Sequence, residues 1–316
     1  MPKTKATTSV LLLVLVALAL LATPAPALRL PDAPDCPVFP EDNPWNRSVT
    51  GLPVHRRSGA ILRSIGLDEG LHPDFGSGRW AGAPIGIPFT TVPADQERVP
   101  VSFRYDDESD PGTYPIPPDA PVEGGRSSSG DRHVIVIDRD ECKLYEVFAA
   151  YPRNNGARWD AGSGAIWDLT SNRLRPKSWT SADAAGLPIF PGLARFDEVS
   201  RGRIDHALRF TVARSRRHFI YPARHHASSL TSRNLPAMGQ RLRLKRSFNI
   251  TGFGPQAQIV LRALKRYGMI VADNGSDMYI SGAPHSGWDN DDLHGLGGVT
   301  ARNFVVVNTD SVRPGN

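Results

Sequence analysis

The run His133-Val134-Ile135-Val136-Ile137-Asp138, then Arg139-Asp140-Glu141, then Cys142-Lys143-Leu144-Tyr145-Glu146-Val147-Phe148, decides how this chain folds. Two short runs rich in Val, Ile, Tyr and Phe flank a polar cluster, the pattern of strands doubling back through a turn. With Arg139 and Asp140 as the loop, His133 faces Glu146, Ile135 faces Leu144 and Ile137 faces Cys142. That register ends an apolar row with a His/Glu pair. Such a pair is either mutual satisfaction of two polar groups at a sheet margin or an acid/base couple at the mouth of a β-sandwich.

Upstream, Lys3 and Lys5 precede a thirteen-residue apolar run, Val10 to Ala22, and then Ala25-Pro26-Ala27. This is the charge, core and small-residue order of a secretory signal. The run is too short to span a bilayer. Cleavage after Ala27 leaves residues 28–316, with no cysteine next to the cut to carry a lipid and no membrane attachment once the leader is gone. Export, extracellular or periplasmic, places the chain where thiols oxidise, and it has two cysteines, Cys36 and Cys142. A disulfide between them is the expectation. It would close a loop of about a hundred residues and contribute about 2–4 kcal/mol.

The formal charge of +5 falls to +3 when Lys3 and Lys5 leave with the leader. That is mild. The basic clusters at Arg214-Ser215-Arg216-Arg217 and Arg241-Leu242-Arg243-Leu244 do not read as a nucleic-acid surface; the second alternates, which predicts arginines on the outer face of a strand. With 29 glycines, 28 prolines and many short β-type runs, the chain reads as mainly β, an antiparallel, jelly-roll-like β-sandwich with a small α/β C-terminal extension. The expected division is an extended segment with a short helix over 28–84, a sandwich core over 85–250, and a helix and hairpin over 251–316. The oligomeric state is not legible.

Helices are predicted at Ser58 to Ile65, stopped by Gly66, and from Pro255 to a stop at Gly268. Asn274-Gly275, between Met269–Ala272 and Met278–Ser281, is a type I′ hairpin signal. The glycine-rich loop from Leu71 to Gly86 carries His72, Asp74 and Trp80. The acidic Asp106-Asp107-Glu108-Ser109-Asp110 suits either solvent or calcium.

Candidate chemistry gathers after the hairpin. Trp159, Trp167 and Trp179, each readable alone as core, together with Asp168 and Asp183 make a possible wall for sugar rings. His206 enters an apolar face near a strand start, as His133 does. Asp131-Arg132-His133, Gly162-Ser163-Gly164-Ala165, Gly202-Arg203-Ile204-Asp205-His206-Ala207-Leu208, Pro222-Ala223-Arg224-His225, Met238-Gly239-Gln240-Arg241-Leu242-Arg243-Leu244 and Tyr267-Gly268 together resemble a group of exported bacterial proteins of unassigned function. The resemblance covers most of the chain from about residue 85 and implies no chemistry. In outline the chain is also similar to jelly-roll enzymes that cut polysaccharides, although it has neither the Glu-x-Asp-x-Glu strand nor the Gln-x-His strand that mark two such families.

The expectation is therefore a secreted enzyme acting on an extracellular polysaccharide or cell-wall glycan. A hydrolase would pair Glu146 with Asp168, or with Asp131 as substitute. A lyase would use His133 or His206 with Tyr221 and Arg224. Neither route calls for a cofactor. A non-catalytic glycan-binding protein and a cupin-like metal enzyme using His133, Glu146 and His206 are the alternatives.

Overall fold

The computed structural model describes residues 29–313; the expected leader, residues 1–27, lies outside them. Two main sheets carry strands β1 (His72–Asp74), β2 (Thr90–Val92), β3 (Val134–Asp138), β4 (Lys143–Phe148), β5 (Ser163–Asp168), β6 (Leu208–Val212), β7 (Arg241–Leu244), β8 (Met269–Asn274), β9 (Tyr279–Ser281) and β10 (Phe304–Val307). The helices are α1 (Ser58–Ile65), α2 (Phe196–Ser200), α3 (Pro255–Arg266) and α4 (Asn290–His294). None of the described helices is long and apolar enough to cross a membrane.

The central hairpin forms as β3 and β4, but its turn takes Arg139 to Cys142, because the Asp138 carboxylate accepts from the backbone N–H groups of Asp140 and Glu141 at 3.1 and 2.9 Å. Glu146 consequently faces Ile135, and Leu144 faces Ile137. The expected His133–Glu146 pairing does not occur. The slip is by two residues, so every side chain keeps its face. Ile135, Ile137 and Leu144 enter the larger core while Val134, Val136, Tyr145 and Val147 enter a second one. This sheet, in the order β5-β4-β3-β2, is therefore a wall between two apolar cores. The Cys36–Cys142 disulfide ties its turn to the N-terminal segment.

The antiparallel jelly roll is replaced by mixed sheets. β2 runs parallel to β3, β6 to β8, β9 to β1, and Arg158–Ala161 to Val99–Phe103 in a third sheet. The fold is mainly β. The largest sheet, β10-β7-β8-β6-β9-β1, takes strands from all three expected segments, so the boundaries at 84 and 250 cut through one sheet.

That sheet also overturns two local readings. The Asn274-Gly275 turn does not join a hairpin, because β6 lies between β8 and β9. The turn wraps the end of β6, with Gly275 N–H donating to Val212 O and Thr211 Oγ1 to Ser276 O. An apolar central strand needs a ladder on both edges, and that requirement outweighs a favourable turn dipeptide. The arginines of β7 are not solvated either. Arg241 and Arg243 are buried and donate to the carbonyl oxygens of Pro44 and Arg47, and of Val49, Thr50 and Leu52, clamping the lead-in segment over the sheet. Burial pushes the Arg241 guanidinium down to about 9.

Helix α1 has the predicted bounds, and α3 begins at Pro255, whose missing N–H costs nothing there. The Asp292 carboxylate of α4 accepts from Gln256 N–H at 2.7 Å, capping α3 from a separate element. Gly268 stops α3 at φ +70°, where a Cβ would lie 2.2 Å from Leu242 O.

Candidate functional site

The histidines and acids expected to converge are distributed among separate structural tasks. Glu146 is fully buried, and its carboxylate accepts from Ile189 N–H at 2.9 Å and Phe190 N–H at 2.8 Å, capping the turn Phe190–Gly192. Burial raises this carboxyl to about 7. His206 is buried between Glu198 Oε2 at 3.0 Å and Ala207 O at 2.7 Å. Asp168 is exposed at the end of β5 and accepts from Thr170 N–H and Oγ1. Asp131 is exposed.

The tryptophan wall is absent too. Trp159 packs in the second core and Trp167 in the larger one, because each sits on a sheet face that a core covers; Trp179 is half-buried. The Arg175 guanidinium lies over the rings of both Trp167 and Trp179. Tyr221 and Arg224 line a different cleft from His133's surroundings. In the acidic run, Asp110 pairs with Arg175 and Glu108 accepts from Thr180 N–H. Among the described residues no three His, Cys, Asp or Glu side chains gather as a metal-ligand set, so the cupin-like and calcium arrangements are not formed.

What the fold does build is a cleft of about 560 Å3 at the β1 edge of the large sheet. Its walls come from β1, from Glu123 and Gly124, from Tyr279 of β9 and from α4. Over it stands Trp80, 79 % exposed, on a two-stranded ribbon, Arg79–Trp80 against Ala83–Pro84. His72 stacks on Tyr279, ring centroids 4.0 Å apart, as the β1–β9 register requires by pairing those residues. The volume suits a small ligand or a few sugar rings.

Two carboxyls line this cleft, Asp74 and Glu123, and their surroundings push them in opposite directions. Asp74 is accessible, yet the atoms packed about it and the neighbouring Glu123 charge raise its carboxyl above the ordinary range. For Glu123, burial works against the charge, but His133 outweighs it and holds the carboxyl below its usual value. His133 Nδ1 lies 2.6 Å from Glu123 Oε2, and its Nε2 lies 3.0 Å from Ala182 O. Both partners are acceptors, so both ring nitrogens donate and the ring is an imidazolium. Burial alone would lower this histidine; the Glu123 carboxylate raises it to about 9. Arg132 supports the arrangement from beside it, donating to the carbonyl oxygens of Gly125, Arg126, Ser128 and Ala150 and so fixing the loop that follows Glu123.

Behind the cleft a polar row crosses three strands. Ser281 of β9 pairs with Asp74 of β1, and Arg209 of β6 donates to Ser281 Oγ and, in a fork, to both oxygens of Asp183 at 3.0 and 2.9 Å. Buried Asp183 is raised by its burial, which Arg209 opposes. Asp273, also burial-raised, sits at about 7. The Arg209 charge is felt at the cleft, acting through space on Asp74, Glu123 and His133.

No family model, curated protein or solved structure matches the chain. The site rests on its own geometry. Sequence reading placed His72, Asp74 and Trp80 in a glycine-rich loop and gave them no role. Glu123, a lone acid before a glycine- and serine-rich stretch, offered no local signal, since its partner is set by loop closure.

Proposed function

We propose that this chain is an exported glycan-active enzyme, a glycoside hydrolase, working in the cleft between β1, Glu123 and α4. The observation that carries the reading is the pair of carboxyls with opposed pKa shifts lining one cavity. Environments that separate two carboxyls in this way assign one as acid and the other as base or nucleophile. Asp74, held protonated to higher pH, donates to the leaving glycosidic oxygen. Glu123 stays ionised and serves the opposite step, with Oε2 occupied by His133. Trp80 offers an open indole face for a sugar ring, and the His72–Tyr279 stack gives the floor a flat surface. Action outside the cytoplasm is supported by the Cys36–Cys142 disulfide and by the leader pattern of residues 1–27.

The test is a screen of residues 28–316 against a panel of neutral and acidic polysaccharides, following both new reducing ends and unsaturated products. Asp74→Asn and Glu123→Gln should each lower turnover by about 100- to 10,000-fold, the usual reach of general acid–base catalysis. Activity should fall toward acid as Glu123 protonates, and fall again as pH rises through the raised range in which Asp74 ionises. Turnover undiminished in both variants overturns the assignment. The exposure of Trp80 favours a second reading, a glycan-binding protein without catalysis, which would show as binding lost in Trp80→Ala with no cleavage by the wild type.

A further inference from the structure

At the other edge of the six-stranded sheet, beside β10, lie two adjoining clefts of about 760 and 440 Å3. Five strand spacings, about 24 Å, separate this edge from β1. Four arginines line the larger cleft and five the smaller; Arg56 and Arg216 belong to both, as do His55 and His218. The shared residues make the two clefts one elongated groove. Among the described residues its only carboxyl is Asp310.

Elsewhere in the molecule buried arginines are either matched by acids, as at Arg175–Asp110, Arg195–Asp197 and Arg209–Asp183, or held by several backbone carbonyl oxygens, as at Arg132, Arg241 and Arg243. Here none of Arg56, Arg57, Arg216, Arg217, Arg224 or Arg233 has a carboxylate within ion-pair distance among the described residues, nor does Arg313. Within the groove Arg216 Nε and Tyr221 Oη are buried donors without a hydrogen-bond partner among the described residues. Arg216 is lowered first by burial and then by Arg233 and Arg57, His55 by burial and then by Arg56, Arg216 and Arg57, and His218 by burial and then by Arg216 and His226, so like charges add to the cost of burial at each. Leaving buried donors and like charges unpaired is costly, and an oxyanion in the groove removes both costs.

We propose that this groove binds an extended polyanion, specifically an acidic polysaccharide whose carboxylate or sulfate groups are taken by the guanidinium forks. A nucleic acid is disfavoured because the groove's aromatics, Phe219 and Tyr221, are half-buried and offer no open platform for bases. The fully open indole, that of Trp80, belongs to the remote cleft. The groove accounts for Tyr221 and Arg224, which sequence reading had placed with a catalytic centre. It does not depend on the hydrolase assignment, since binding is measured without turnover.

The experiment is titration of the whole protein with polygalacturonate, dextran sulfate, dextran and a single-stranded oligonucleotide, each across a salt series. The variant Arg56→Gln/Arg217→Gln/Arg233→Gln alters exposed side chains, and circular dichroism establishes that it folds. One or both acidic polysaccharides should bind in a salt-sensitive way, dextran should not, and the triple variant should bind about tenfold or more weakly. The better of the two identifies carboxylate or sulfate as the recognised group. Retained affinity in the triple variant, or equal binding of dextran, overturns the proposal; tighter binding of the oligonucleotide than of either polysaccharide overturns the assignment of ligand class. Loss of cleavage in Asp74→Asn with polyanion binding intact separates this groove from the catalytic cleft.

Discussion

Replacing His133 with leucine tests the centre of the site most directly. The substitution keeps bulk but removes both donors, leaving the Glu123 carboxylate and Ala182 O without their partner. Removing one member of a buried ion pair costs about 3–5 kcal/mol. Glu123 retains 22 % of its side-chain surface, so solvent softens the loss toward about 3 kcal/mol. The pH dependence gives the sharper signature. His133 lies near 6.5 in the unfolded chain and at about 9 in the fold, so between those values the folded protein holds a proton that the unfolded one releases. The stabilisation is complete below pH 6.5 and is lost as pH rises through about 9, a fall of at most about 3 kcal/mol. Urea denaturation at intervals from pH 6 to 10 should show wild type losing its advantage over His133→Leu across that window. Glu123→Gln should flatten the same slope, and the double variant should lose less than the two single losses added together. A wild-type advantage as large at pH 10 as at pH 6 would refute the imidazolium–carboxylate pair.

Glu146→Gln should fold and retain any glycan-cleaving activity, because an amide oxygen can still accept from Ile189 and Phe190; as Glu146 sits at about 7, the variant should gain stability relative to wild type as pH rises from 4.5 through 7, when only the wild type must ionise a buried carboxyl, measured by thermal unfolding. Arg209→Met strands buried Asp183 and should cost about 3–5 kcal/mol in denaturant titration, with Asp183→Asn recovering part of it. Reduction, or Cys36→Ser/Cys142→Ser, opens a link between residues 106 apart and should cost about 2–5 kcal/mol, seen as a lower urea midpoint.

The cleft and its carboxyls were only partly legible beforehand. His133 was recognisable as a polar residue entering an apolar strand, and the strands around it as a hairpin. Its partner was not: Glu146 is the nearest acid on the facing strand, yet Glu123 reaches the ring through the returning loop that Arg132 holds. The same limit applies to Trp159 and Trp167, whose side chains suit a sugar wall or a core equally well until a second layer covers them.

Residue types and spacing alone determined what depends on neighbours within a few positions: the bounds of α1, the start and stop of α3, the faces of β3 and β4. They also determined the disulfide, since two cysteines leave one intramolecular pairing. Only the tertiary structure decided the turn register, the insertion of β6 between β8 and β9, the burial of Arg241 and Arg243, and the meeting of Asp74 with Glu123. Local preferences differ by about 1 kcal/mol, whereas covering a strand edge or matching a buried charge involves several, and the elements that satisfy such a demand lie far away along the chain.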